Sequence, residues 1–499
     1  MKSFFSKLFA LYVVRKIKKD SKRAVSVQLN LLQELTHKAS RTAFGNDHSF
    51  NDIHNYKDFT NLVPIRDYEG LASYIDRIRK GERDVLWRGL PLYLSKTSGT
   101  TSGSKFIPIT IDSIQHHIDT ARNALLCYIN ETGNADFVKG KMIFLQGSPE
   151  MKSHQGMRIG RLSGIVAHHV PRYLQKNRLP SLKVNIIDDW ESKVKAIVNE
   201  TIKENMTLIS GIPPWVQMYF ELLLEKSGKK TVAEIFPNFS LLVYGGVNFK
   251  PYQNKIEHLV GKNIDKIELY PASEGFIAFQ DSQQSEGMLL NTNSGIFYEF
   301  VEAEQISNET PKRLHLGEVE LNVNYAIVLS NNAGLWAYNI GDTIKFVSLD
   351  PYRIVVTGRV KHFTSAFGEH VIAEEVEGAI EFICAELNME ISEFHVAPVV
   401  NPNEGVLPHH EWLIEYDVKT VDKKSLENQL DQYMQNRNHY YRDLREGKVL
   451  KELIVSTVKF NGFNAYLKSM GKLGGQNKLP RLSNDRKLAD AMFKYLLNE

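Results

Sequence analysis

Four apolar runs in the middle of the chain end at glycine or a polar turn: Met142-Ile-Phe-Leu-Gln-Gly147, Met206-Thr-Leu-Ile-Ser-Gly211, Leu241-Leu-Val-Tyr-Gly-Gly246 and Lys266-Ile-Glu-Leu-Tyr270. Stretches of helical character, such as Trp190–Asn205 and Pro214–Ser227, lie between them. The alternation predicts βαβ units and a largely parallel sheet. Ligands of open sheets gather beyond the carboxyl ends of the strands, so the strand tips mark one wall of a crevice.

From about residue 287 the pattern changes to short strands without long helices, at Met288–Leu290, Ile296–Val301, Glu318–Val323, Thr343–Val347 and Tyr352–Thr357. An antiparallel sheet or distorted barrel is expected over 287–357. Past Gly358 the spacing predicts a helix over 373–387, strands over 392–397 and 411–416, a helix over 424–445, a strand over 453–458 and a last helix near 484–498. The expected fold class is therefore α/β, with a large N-terminal part over 1–357 and a small C-terminal α+β part over 358–499. Nearer the N-terminus, residues 21–45 read as helical with a stop at Phe44-Gly45, and 112–130 as a further helix.

A second wall of the crevice is legible in Tyr93-Leu-Ser-Lys-Thr-Ser-Gly-Thr-Thr-Ser-Gly-Ser-Lys-Phe-Ile-Pro108, where small and hydroxylated residues fill the space between two apolar runs. Gly99 and Gly103 allow backbone dihedrals closed to other residues, so successive amide groups can turn toward an anion. Thr97, Ser98, Thr100, Thr101, Ser102 and Ser104 add hydroxyl donors and Lys105 adds charge. Polyphosphate is the expected ligand. The common P-loop has four residues between its glycines and a lysine directly after the second; this chain has three and then Ser104, so a kinase-type site is not expected.

Composition removes other classes. Charged residues make up 24% of the chain and the net charge is only +3, and beyond the N-terminus there is no long basic block of the kind that nucleic acid requires. Cys127 and Cys384 stand far apart with no metal-ligand spacing, as in a reduced cytoplasmic protein. The pairs His168-His169 and His409-His410 are adjacent residues, which on a strand point to opposite faces and cannot chelate one metal. Residues 1–20 carry an apolar run followed, not preceded, by a basic cluster, which argues against a signal peptide. The expected role is an amphipathic helix packing on the body. No segment reaches the roughly 20 apolar residues of a membrane span.

The hydroxyl-rich loop, Tyr270-Pro-Ala-Ser-Glu-Gly275, Tyr338-Asn-Ile-Gly-Asp342, Thr357-Gly-Arg359 and Gly474-Gly-Gln-Asn-Lys-Leu-Pro-Arg481, in this order, resemble the signatures of acyl-adenylate-forming enzymes. In detail they resemble the auxin-responsive Gretchen-Hagen family of acyl acid amido synthetases, over about residues 28 to 485. The resemblance implies an ATP- and magnesium-dependent ligase that makes an acyl-AMP from an organic acid and passes the acyl group to an amine, such as an amino acid. It implies that Ser98, Gly99, Thr100, Thr101, Ser102, Gly103 and Lys105 hold phosphate. Tyr270 and Ser273 would surround adenine and α-phosphate, Glu274 would hold magnesium, Asp342 would hold the ribose hydroxyls, and Arg359 matches the cofactor-binding arginine that precedes the interdomain hinge. A carboxylate suits a cis-diol, since it accepts a hydrogen bond from each hydroxyl. By the same resemblance Lys361 is a hinge, Ala366–His370 a loop that enters the site after the small domain turns, and Lys478 the lysine that grips carboxylate and α-phosphate. Plant members commonly carry lysine where His370 stands. A thiol acceptor, giving an acyl-CoA, and a non-catalytic nucleotide binder are the competing readings.

Overall fold

The structure, a computed structural model, describes residues 2–100, 103–170, 175–187, 190–247, 249–360, 363–364, 366–369, 371–387, 389, 391–403, 405–416, 422–470 and 479–497. Among them, twelve strands form one mixed sheet. Its parallel half runs, in spatial order, through Asp265–Ala272, Leu241–Gly245, Met206–Ser210, Lys141–Phe144 and Arg178–Leu179. Helices Trp190–Thr201, Pro213–Ser227 and Lys250–Val260 provide the crossovers, as the alternation of runs predicts.

The antiparallel strands continue this sheet rather than forming one of their own. Gly275–Phe279 turns back from Asp265–Ala272, and Met288–Leu290, Tyr352–Arg359, Tyr338–Leu349, Asn324–Asn331 and Ile296–Glu302 follow in space. The expected strand at 318–323 is replaced by Asn324–Asn331. Its residues after Asn324 are all buried, so the stretch has none of the in-out alternation that marked 318–323. Helix Ala24–Ala39 docks through the buried Gln28, which donates to the carbonyls of Thr292 (2.7 Å) and Ile296 (2.8 Å) and accepts from the Tyr298 amide (2.8 Å). Gly45 does not end a helix: it lies inside Ala43–Asp47, where a Cβ would come within 2.2 Å of the Ala39 carbonyl oxygen.

Two smaller sheets complete the site's frame. Tyr93–Thr100 pairs with Gly103–Ile109 on one side and with Met157–Gly160 on the other. Past residue 363 the chain builds a three-stranded sheet of Ile391–Val399, His409–Tyr416 and Ile454–Thr457, packed with helices Ala373–Glu386 and Lys423–Arg437. This is the small α+β unit expected. Its apolar side chains, from Phe367 to Leu482, share one continuous core with Ile143–Val260 of the large part.

Candidate active site

The phosphate stretch is a hairpin rather than an open loop. Thr97 pairs with Lys105, Ser98 with Ser104 and Thr100 with Gly103, and the register slips between Ser98 and Thr100, at Gly99. Thr101 and Ser102 lie outside the described residues. Gly103–Ile109 is an edge strand, which is where Pro108 can sit without costing a ladder hydrogen bond. The hairpin is fixed from behind, the Phe106 amide donating to the Tyr68 hydroxyl at 3.0 Å. The Lys105 Nζ lies 5.9 Å from the centre of the Tyr68 ring.

Ser273 and Glu274 occupy the tight turn between Asp265–Ala272 and Gly275–Phe279. The Ser273 hydroxyl is 2.9 Å from that of the buried Ser95, which ties this turn to the base of the hairpin. The turn demands glycine at 275, where a Cβ would fall 2.3 Å from Ile296 Cδ1. Asn331 donates to the Glu274 carbonyl at 2.6 Å and holds the turn from the other side. Burial pushes the Glu274 carboxyl above the ordinary carboxylate range and the Lys105 ammonium below the ordinary lysine range, and each group's charge partly offsets the other's penalty. A narrow cavity of about 10 Å³ lies behind Glu274, lined in part by Ser113, His116, His117 and Asn331. Burial holds His117 at a pKa of about 4, so it is neutral at physiological pH.

Asp342 and Arg359 are direct cross-strand partners on neighbouring antiparallel strands, so sheet register alone brings them together. Arg359 Nε is 2.6 Å from Asp342 Oδ1, and an Nη donates to the Ile340 carbonyl at 2.9 Å. The Tyr270 hydroxyl donates to the other Asp342 oxygen at 2.5 Å. Gly341, at φ +85°, gives the kink that aims Asp342 at both partners.

The structure thus gathers Lys105, Tyr270, Ser273, Glu274, Asp342 and Arg359, which the sequence singles out, into one crevice. Lys361, His370 and Lys478 lie outside the described residues, as do the side chains of Ser98 and Thr100. Sequence reasoning missed a clasp from the C-terminal part. Helix His439–Glu446 puts the Tyr440 hydroxyl 3.3 Å from the Lys96 carbonyl and in a hydrogen bond with the Thr97 side chain. The Arg161 guanidinium stacks over the Tyr440 ring at 4.8 Å and pairs with Asp443. The two adjacent histidine pairs have hydrogen-bond partners of their own: His169 bonds the Tyr93 hydroxyl (2.8 Å), His168 the Pro149 carbonyl (2.9 Å), His409 the Leu407 carbonyl (3.1 Å) and His410 the buried Glu369 (2.8 Å).

Family models match this chain over nearly the whole of this architecture. The GH3 N-terminal domain matches residues 13–178 and 153–264, the central domain 289–359 and the C-terminal domain 374–487. This chain belongs to the GH3 family. A relative from Nicotiana attenuata, a jasmonoyl–L-amino acid synthetase, is 22% identical over 401 residues, which span 67% of this chain and 68% of the relative. An indole-3-acetic acid-amido synthetase from Arabidopsis thaliana is 34% identical over a shorter stretch of 107 residues, 21% of this chain and 18% of the relative. The solved structure of a GH3 acyl acid amido synthetase with 2,4-DB shares the fold at a TM-score of 0.63 and 14% identity, covering 99% of this chain and 96% of that one. A 2-hydroxyisobutyryl-CoA ligase shares it at 0.62 and 12% identity, over 95% and 92%. The curated relatives are named as jasmonoyl–L-amino acid and amido synthetases, and the two solved structures are an acyl acid amido synthetase and an acyl-CoA ligase. No described helix is long and apolar enough to cross a membrane.

Proposed function

We propose that this GH3 chain activates an organic carboxylic acid with ATP and transfers the acyl group to the amine of an amino acid. One observation carries the reading. Lys105, Glu274 and the Tyr270–Asp342–Arg359 cluster come from four separate stretches of chain, and their charges face one crevice. A carboxylate is a poor electrophile because its leaving group would be oxide. Attack by the acid on the α-phosphorus expels pyrophosphate and leaves AMP as the group that the amine then displaces. Lys105 and the hairpin amides would offset charge as it builds on the departing pyrophosphate. Asp342 would take the ribose hydroxyls and Arg359 would hold it in place.

Magnesium fits Glu274. Among the described residues its carboxylate makes no ion pair, and no cluster of three or more potential ligands surrounds it. One protein carboxylate completed by substrate phosphates is how magnesium is ordinarily held in nucleotide sites. When bound, the ion would neutralise phosphate charge.

The second half-reaction needs a different arrangement, since water must be kept out while an amine approaches. We place the hinge at Lys361, with the part from about 358 onward turning between the two steps and Lys478 serving adenylation alone. In the present arrangement the 366–369 segment rests on the strand tips: Tyr252 donates to the Ala366 carbonyl at 2.5 Å, and Gly368 lies beside Ile212. The free thiols of Cys127 and Cys384 suit a reducing, cytoplasmic setting.

The decisive test is carboxylate-dependent pyrophosphate exchange across an acid panel, with mass spectrometry of products formed from mixed amino acids or CoA. Amide is expected. Thioester with CoA and no amide with any amino acid would replace this reading with acyl-CoA ligation. Lys105→Ala should slow exchange by the equivalent of about 2–4 kcal/mol, the usual cost of losing one preorganised electrostatic donor. Near-normal exchange by that variant would remove the hairpin from the mechanism.

A further inference from the structure

The first helix, Lys2–Ser21, meets the body of the protein with one side only. Ala10, Val13 and Val14 are buried in a core that includes Cys127 of helix Ile111–Thr132 and Phe137 beyond it. At 3.6 residues per turn, Phe4, Leu8, Leu11 and Arg15 form a stripe on the opposite side. That outward side changes character along the axis. Toward the N-terminus it is apolar, with Phe4 and Phe5 each 63% exposed and Tyr12 69% exposed. Toward the C-terminus Arg15, Lys16, Lys18 and Lys19 are all exposed.

Single exposed apolar residues are ordinary, but Phe4, Phe5, Leu8, Phe9, Leu11 and Tyr12 are all exposed on one short stretch of helix, and a contiguous patch of this kind marks an interaction surface. Charge selects the partner. Between Lys7 and Arg23 there are seven basic residues and the single acid Asp20, so a second copy of the chain seated on this face would oppose like charge with like. An anionic bilayer complements both halves, since aromatic and leucine side chains enter the headgroup boundary while lysine and arginine reach lipid phosphates. We propose that Lys2–Ser21 is a peripheral anchor that seats the protein on an anionic membrane surface. The helix lies on the bilayer and does not cross it.

The test is co-sedimentation of the full chain with phosphatidylglycerol-containing vesicles and with pure phosphatidylcholine vesicles. Binding is expected to the anionic vesicles alone and to weaken as salt rises. Lys18→Gln with Lys19→Gln should reduce partition roughly thirty-fold, at about five-fold per basic residue. Phe4→Ser with Leu8→Ser should reduce it by at least about ten-fold, with pyrophosphate exchange in solution unchanged. Failure to bind anionic vesicles, or equal binding to both kinds, would overturn the proposal. So would a concentration-dependent dimer in sedimentation velocity that the Phe4 and Leu8 substitutions dissolve.

Discussion

Burial opposes the charged forms of both Lys105 and Glu274, and this sets a pH window. Glu274 has its pKa raised, so it becomes fully ionised only above the ordinary carboxylate range; Lys105 has its pKa lowered, so it loses its proton before an exposed lysine would. If both charged forms are needed, pyrophosphate exchange should fall at low pH with Glu274 and at high pH with Lys105, giving a narrower profile than two free groups would. Lys105→Arg should extend the alkaline limb, because guanidinium keeps its proton throughout. An alkaline limb that does not move would remove Lys105 as its origin. Asp342→Asn should raise the KM for ATP by the equivalent of about 2 kcal/mol, the scale of a hydrogen bond to a charged group. These residues were legible in the sequence because each sits in a short contiguous motif. Arg161, Tyr440 and Asp443 were not, since nothing local links Arg161 to residues nearly three hundred positions away, and only the docking of helix His439–Glu446 on the hairpin brings them together.

That helix illustrates what the elements add. Periodicity over 424–445 predicts one helix, and the structure has two, Lys423–Arg437 and His439–Glu446, divided at Asn438. The Asn438 side chain accepts from the Tyr441 amide at 2.9 Å and donates to the buried Glu375 at 3.0 Å, so it competes with the helical ladder and starts a new helix in another direction. Asn438→Ala should cost about 2–3 kcal/mol in urea unfolding, combining a lost cap with a carboxylate deprived of a donor. A loss below about 0.5 kcal/mol would mean that the break has another cause. Periodicity reads elements well where one face is wet. Four of the five parallel strands were found to within three residues at either end, because their glycine and polar stops punctuate them, while the two-residue strand Arg178–Leu179 was not. Asn324–Asn331 was missed because a strand buried on both faces has no alternation to read, and Gly45 was misread because its close approach to Ala39 is a tertiary fact.

At the scale of the molecule, the proposed division of labour between Lys478 and the 366–369 segment predicts separable half-reactions. Lys478→Ala should abolish acyl-AMP formation, read as pyrophosphate exchange, and largely spare amide formation from supplied acyl-AMP. Equal loss of both in a folded variant would end that division. The order of the sheet's two halves and the α+β character of the C-terminal part were readable from strand spacing, whereas the manner in which the two parts touch was not. That contact is apolar: Phe367 is fully buried, and the core runs unbroken from Ile143–Val260 into the C-terminal part. The proposed turn about Lys361 would therefore part greasy surfaces and wet them. Wetting apolar surface absorbs heat increasingly as temperature rises. The exchange between the two arrangements should then carry a positive heat capacity, so amide turnover, if limited by that exchange, would give an Arrhenius plot that curves, with its apparent activation enthalpy growing on warming.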